Sequence, residues 1–582
     1  MIDTPIPYDI VKEKIKESCL PNIGKASIRE VKKLINEIEK ASGQKFVRME
    51  MGIPGLPAVQ VGVDAQIAAL RNGVAAIYPD IEGIPELKTE MSRFCKNFLD
   101  IDVPASSCIP TVGSMQAGFA VFMTFQHLHK EKDTTLFIDP GFPVQKQQHR
   151  IMGAKYETFD VYEYRGEKLR DKLESYLKKG NIHSIVYSNP NNPSWICFTE
   201  KELQIIAELS NKYDVVIIED LAYFGMDFRK NISIPGQAPY QSTVAKYTDN
   251  YVLFISSSKA FSYAGERLAV MVISDKLFKG HYPNLKENFG TDSLGHAIVY
   301  GSVYALTSGT AHSAQYAMAA ILKACNDGSY NFIEVIKEYE RKAHDMKKMF
   351  TDNGFEVVYD KDEDHLLADG FYFTIGYPGF TGDELLEELL YYGISAISLS
   401  ITGSQRQGLR ACVSLVNRNQ FPDLKARLEK FKENTKTISS ILEFLNENYE
   451  SIESAKCNNE YANLIQQLKK LIEEFKLKYN SYKNIQRFSI AVIGCVSSGK
   501  STILNYLLKL KKTLQMDHGI TTKCICIIRH KKGNKKAKVY EVKILNRGGE
   551  DEEKYNYNNF EKGKEIPNKD VAKVIKERNI LI

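Results

Sequence analysis

Between residues 49 and 310 the chain alternates two hydrophobic rhythms. Nearly unbroken apolar runs fall at Thr135–Ile138, Ser184–Tyr187, Val215–Ile218, Tyr251–Ile255 and Ala269–Ile273. Rich in β-branched residues, they read as strands covered on both faces. Helical periodicity fills most of the gaps between them, and that order predicts an α/β domain with a mostly parallel sheet. The last two runs lie too close together for a crossover helix, so one of them is expected to run antiparallel.

The flanking segments have other patterns. In residues 1–48, Ile28, Val31, Leu34, Ile35 and Ile38 recur at helical spacing within Ser27–Lys40; an N-terminal arm with one amphipathic helix is expected. Residues 311–435 open on long helical stretches (Ala311–Lys323, Phe332–Asn353) and then alternate strand and helix patterns, as a smaller α+β domain does. Residues 436–485 read as a helical linker, with Leu464, Ile465, Leu468, Leu471, Ile472 and Phe475 on one apolar face. That stripe suits a short coiled coil or a helix packed on a neighbour, and does not choose between them. A new strand begins at Phe488 and opens a last segment, 486–582.

Composition narrows the class. A length of 582 residues implies several domains, and 43% apolar with 26% charged residues suits a globular chain. The net charge of +5 is small for this length and gives no reason to expect nucleic acid as a partner. Ten cysteines without CxxC pairs suit reduced thiols in the cytoplasm. The N-terminus lacks the pattern of a signal peptide, and no apolar run approaches the roughly 20 residues of a membrane helix.

Candidate chemistry falls at the ends of the expected strands, where open α/β sheets bind ligands. Ser256-Ser257-Ser258-Lys259 follows one strand, with Gly265-Glu266-Arg267 beyond it. A lysine desolvated there becomes a nucleophilic amine, and the arginine can clamp a phosphate by two parallel hydrogen bonds. Asp220 ends the strand of Val215–Ile218, with Tyr223 three residues on. A buried carboxylate is costly unless paired, and a protonated pyridine nitrogen would pair it; as a lone feature it reads rather as a helix N-cap. Ser188-Asn189-Pro190-Asn191-Asn192-Pro193 forms a defined turn whose asparagines can donate hydrogen bonds. Thr111-Val112-Gly113-Ser114-Met115-Gln116 opens a helix with small residues, a ready phosphate site.

In this order and spacing the four motifs resemble the class I/II aminotransferases of pyridoxal-phosphate (PLP) fold type I, over roughly residues 30–435. That fold is a large α/β domain (49–310) plus a small α+β domain (311–435). The resemblance implies that Lys259 holds PLP as a Schiff base and moves the proton at the substrate Cα. It makes Asp220 the partner of the pyridine nitrogen, and Tyr223 and Asn192 the partners of the ring hydroxyl oxygen. Gly113, Ser114, Met115, Ser256 and Arg267 would surround the phosphate, and Phe142 would stack on the ring. Tyr78, in Ile77-Tyr78-Pro79, would be lent to the phosphate of a second subunit, which implies a homodimer. Arg410, in Gly408-Leu409-Arg410, would bind the substrate carboxylate, together with Asn192. The implied activity moves an amino group between an amino acid and a 2-oxo acid by ping-pong kinetics; a PLP lyase of the same fold would use the same lysine and aspartate. The chain departs from the family at Ser194-Trp195, where Thr-Gly is usual, and at Ser257 and Tyr263.

A second signal lies near the C-terminus. The strand Phe488–Ile493 leads into Gly494-Cys495-Val496-Ser497-Ser498-Gly499-Lys500-Ser501-Thr502 and then a helical stretch, the setting of a P-loop. Gly494, Ser498, Gly499 and Thr502 would line the phosphates, Lys500 would reach them, and Ser501 would ligand Mg²⁺. The version found here resembles the dynamin-like GTPases, which implies GTP as ligand and Thr521 or Thr522 as the switch threonine. No DxxG or NKxD follows at the proper spacing, so a partial P-loop α/β domain is expected. The competing whole-protein reading is a nucleotide-regulated interaction protein that acts through this tail.

Overall fold

The computed structural model describes residues 4–435 and, further on, the backbone of three strands, Cys526–Arg529, Lys538–Ile544 and Phe560–Ile566. Contacts divide the chain into two units, one spanning Pro5–Lys432, the other Met1–Thr4 with Glu433–Ile582. In the second unit the three described strands pair antiparallel in chain order. The linker stripe and the P-loop residues Gly494, Ser498, Gly499, Lys500, Ser501 and Thr502 lie outside the described residues.

The first unit opens with two helices, α1 (Tyr8–Glu17) and α2 (Ile28–Ser42). The expected single helix is α2. Its start is fixed by a capping box, with the Ser27 hydroxyl accepting from Glu30 N–H and the Glu30 carboxylate accepting from Ser27 N–H. Gly43, left-handed at φ 70°, stops it. Val31, Leu34, Ile35 and Ile38 are its buried face. Strand β1 (Val47–Arg48) then pairs with Ile394–Ser395, so the N-terminal arm joins a late segment of the chain.

The body of the unit is a seven-stranded sheet. In chain order come α3 (Gln60–Arg71), α4 (Pro85–Leu99), β2 (Cys108–Thr111), α5 (Gly113–Phe125), β3 (Thr134–Asp139) and α6 (Pro143–Met152). These are followed by β4 (Lys155–Asp160), α7 (Lys168–Leu177), β5 (Ile182–Ser188), α8 (Glu200–Tyr213), β6 (Val216–Asp220), β7 (Tyr251–Ser256) and β8 (Ala269–Ile273). The strand order is β2-β8-β7-β6-β5-β3-β4. β4, β3, β5, β6 and β7 are mutually parallel, and β8 runs antiparallel to β7 and to β2. The antiparallel member of the last expected pair is therefore β8. Because β2 is antiparallel to β8, it points the same way as β7. The C-terminal ends of β2, β3, β5, β6 and β7 thus share one edge, which carries Thr111, Asp139, Ser188, Asp220 and Ser256.

Beyond the sheet, the helix His312–Asn326 packs against α3 and α4, and Phe332–Asp352 follows it. A four-stranded sheet then forms around Tyr372–Gly376 and Leu409–Cys412, which pair antiparallel and bring Arg410 opposite Thr374. Gly370 lies just ahead of this sheet, where a Cβ would overlap the Trp195 indole. Gly370→Ala is expected to overpack this contact and lower stability by about 1–3 kcal/mol; a denaturant melt with an unchanged midpoint would disprove that.

Candidate active site

The strands β2, β5, β6 and β7 end just before or at Gly113, Asn192, Asp220 and Lys259, and so carry these residues to the common edge. β7 ends at Ser256, whose hydroxyl accepts from Ser258 N–H at 3.1 Å. The Ser257 hydroxyl donates to the Leu268 carbonyl at 2.7 Å, and Tyr263 N–H donates to the Ser257 carbonyl at 3.1 Å. This closed loop aims Lys259 inward. Its amine donates to the Gly52 carbonyl and lies 5.6 Å from the centre of the Phe371 ring. Burial pushes the amine pKa down to about 8, with the positive charges of Arg410 and Arg267 acting in the same direction and Cys412 opposing them. A lysine in that range is neutral often enough to act as a nucleophile and a base.

Asp220 closes β6 and is buried. Its Oδ1 accepts from Ala222 N–H at 3.1 Å, and Gln145 Nε2 lies 3.4 Å from Oδ2. No α-helix begins here, so the aspartate is not a helix cap. Among the described residues no cation forms an ion pair with it. Burial alone pushes its pKa up to about 7. The site therefore contains an acid that a cationic group would convert to a stable carboxylate.

Helix α5 begins at Gly113, left-handed at φ 67°, and presents the free N–H groups of its first turn. A Cβ on Gly113 would stand 2.7 Å from Arg267 Nη2, so the missing side chain is what lets the guanidinium lie against the helix end. Arg267 is anchored by Nη1 to the Ala264 carbonyl at 2.9 Å. The Ser114 hydroxyl is buried and has no hydrogen-bond partner. The Met115 carbonyl accepts from Gln148 Nε2 at 2.9 Å. A cation, an unpartnered hydroxyl and a helix N-terminus in one place are an anion cradle.

Arg410 is 2% exposed. Its Nη2 donates to the Glu50 carbonyl at 2.5 Å and its Nη1 to Asn192 Oδ1 at 3.3 Å. The guanidinium sits 4.5 Å over the Tyr372 ring, and Nε has no partner. Asn192, expected to serve ring and carboxylate, is thus tied to the carboxylate-binding candidate. Tyr223, also buried, pairs its hydroxyl with that of Tyr372 at 2.9 Å. Phe142 precedes α6 and is partly buried. Tyr78 is 91% exposed, so its ring is not packed into the site of its own chain.

The structure adds Gly52, Phe371 and Tyr372 to the expected set. Asn192, Tyr223, Lys259 and Arg410 are linked with them by direct contacts, Arg267 is near enough to act on the Lys259 charge, and Asp220 stands at the end of the strand beside β7. Trp195, which breaks the Thr-Gly pattern, adopts φ 67° and packs its ring edge-on against Tyr223 and Tyr372, at 5.4 and 6.0 Å. It fills the space left open at Gly370.

The family model for aminotransferase class I and II matches residues 45–428. The chain belongs to this family. The Dynamin family model matches residues 490–581. Among curated proteins, the probable aspartate aminotransferase of Methanocaldococcus jannaschii is 26% identical over 245 residues, which are 42% of this chain and 61% of that protein. The glutamate-pyruvate aminotransferase AlaC of Escherichia coli is 30% identical over 202 residues, 34% of this chain and 46% of that one. These matches span less than two thirds of the relatives' own length. Among solved structures, alanine aminotransferase from Pyrococcus furiosus superposes with a TM-score of 0.58 at 21% identity, covering 70% of this chain and 97% of that chain. Aspartate aminotransferase from Thermus thermophilus with maleate gives 0.55 at 17%, covering 72% and 98%. These likenesses establish the aminotransferase fold.

Aminotransferases of this family depend on PLP, and the residues present fit that group. The unpartnered Ser114 hydroxyl and the space at Gly113 beside Arg267 suit its phosphate. The uncompensated Asp220 suits its ring nitrogen. No group of three or more metal-ligating side chains occurs among the described residues, and none of their helices is long and apolar enough to cross a membrane.

Proposed function

We propose that residues 45–428 form a PLP-dependent aminotransferase acting on an amino acid and a 2-oxo acid. The observation that carries this reading is the pairing of a buried, lowered-pKa Lys259 with a buried, cation-less Asp220 at the same sheet edge. When bound, PLP supplies an electron sink that weakens the bonds at the substrate Cα. Asp220 keeps the ring nitrogen charged. Gly113, Ser114, Met115, Ser256 and Arg267 hold the phosphate, and Phe142 covers the ring. Arg410 receives the substrate carboxylate through its free Nε edge, steadied by Asn192. Lys259 Nζ would take the proton from the substrate Cα as general base and give it back as general acid.

The test is a half-reaction. With PLP bound, an amino acid should bleach the visible cofactor band, and a 2-oxo acid should restore it. Bleaching that no 2-oxo acid reverses would favour the lyase of the same fold. Absence of any change across the common amino acids would refute the reading.

A homodimer in which Tyr78 reaches the partner's phosphate is part of the proposal. The 91% exposure of Tyr78 supports it, since its ring is left free of its own chain. Tyr78→Phe is expected to weaken PLP affinity about tenfold, the worth of one hydrogen bond to a charged group. An unchanged affinity in an equilibrium titration would remove Tyr78 from the site. The free cysteines at 19, 95, 108, 197, 325 and 412 support a reducing, cytoplasmic setting. The Dynamin family match supports a nucleotide-binding origin for the tail, with GTP and Mg²⁺ as its ligands.

A further inference from the structure

Tyr372 touches Tyr223, Gly52 and Arg410 and has no role assigned to it so far. Its hydroxyl lies 2.9 Å from that of Tyr223. A Cβ on Gly52 would overlap the same hydroxyl, so it also packs on the residue whose carbonyl accepts from Lys259. Its ring carries the Arg410 guanidinium at 4.5 Å. Trp195, Tyr223 and Phe371 wall the ring on its other sides.

A phenol has one proton to give. Without a cofactor, either member of the Tyr223–Tyr372 pair can be the donor. Once Tyr223 donates to a ring oxygen, only Tyr372 can donate within the pair. The Tyr223 oxygen then accepts while its own proton is shared outward, and successive hydrogen bonds of this kind strengthen one another in a dry site. The ring has a separate effect. A guanidinium stacked on an aromatic face is held flat and oriented, which reduces the freedom that binding a carboxylate must remove.

We propose that Tyr372 is a positioning residue for both halves of the reaction: its hydroxyl fixes the proton direction of Tyr223, and its ring fixes the plane of Arg410. This rests on the assignment of PLP to Lys259. The two roles separate by substitution. Tyr372→Phe keeps the ring and loses the hydroxyl; Tyr372→Leu loses both.

The measurement is the pH titration of the visible band of the PLP-loaded full chain, joined to KM and kcat for the amino acid. Removing the hydroxyl weakens the support of negative charge on the ring oxygen, and the proton of the adjacent lysine link is then held more tightly. Tyr372→Phe is expected to raise the titration midpoint by about half a pH unit, roughly threefold in proton affinity. KM should stay within about twofold and kcat should fall. Tyr223→Phe is expected to raise the midpoint further, and adding Tyr372→Phe to it should change nothing more, because the hydroxyl acts through Tyr223. Tyr372→Leu is expected to raise KM about tenfold over Tyr372→Phe. A wild-type midpoint in Tyr372→Phe, or equal KM in the Phe and Leu variants, overturns the assignment. If the wild-type chain itself develops no band with PLP, the cofactor assignment fails first, and this inference with it.

Discussion

Lys259→Ala lowers amino transfer by about four orders of magnitude or more. The residue is proposed to do two things, covalent attachment and proton transfer at Cα, and proton transfer alone is worth about 10²–10⁴-fold. The variant should still bind PLP without a covalent link, because Gly113, Ser114 and Arg267 form the anion cradle independently of the lysine. Folding should not suffer. The amine is held near pKa 8 by burial, so removing it relieves a desolvation cost and forfeits only its hydrogen bond to Gly52 and its contact with Phe371. Single-turnover rates with an amino acid, alongside a thermal melt, read both effects. Loss of activity through unfolding, or retention of activity within tenfold of wild type, would contradict this assignment.

Asp220→Asn should move stability and turnover in opposite directions. In the cofactor-free protein the folded pKa of Asp220, about 7, lies above the value of about 4 expected for an unfolded aspartate. Between pH 4 and pH 7 the unfolded chain releases this proton while the folded chain keeps it. The contribution of Asp220 to folding therefore falls as pH rises through that window and levels off above pH 7. Asparagine has no such penalty. The variant should match wild type near pH 4 and exceed it above pH 7, by on the order of 2–4 kcal/mol. In the loaded enzyme the sign reverses. On the proposed assignment Asp220 would then face a ring nitrogen whose charge it sustains, and removing one partner of a buried pair costs about 3–5 kcal/mol, or roughly 10²–10⁴-fold in rate. Denaturant melts at two pH values and half-reaction rates test the two halves. A variant less stable than wild type at pH 8 without PLP would mean that Asp220 has a partner in the empty site.

The parts of this site that lie in sequence-local motifs were legible before the structure. Asp220 at a strand end, Lys259 after β7 and Gly113 at the start of α5 each depend on a few neighbouring residues, whose pattern fixes strand, loop and helix. The long-range meetings were not legible. Gly52, Tyr223 and Tyr372 come together from three distant segments, and nothing in the local pattern of Met51-Gly52-Ile53 or Gly370-Phe371-Tyr372 announces it. Trp195 was visible as a departure, but its reason needed Gly370, whose missing side chain makes room for the indole. Two strands escaped notice for physical reasons. β2 is only four residues long and contains a proline, and β4 is a half-exposed edge strand whose polar residues dilute its pattern. Helix α1 was missed because Val11 is its one fully buried residue, too few for a readable stripe.

The most direct test of the whole account is to load the full-length protein with PLP, trap any covalent link with borohydride and map the modified peptide by mass spectrometry. The account predicts one pyridoxyl group on the peptide that contains Lys259. A modification at another lysine, or none at all, would contradict it.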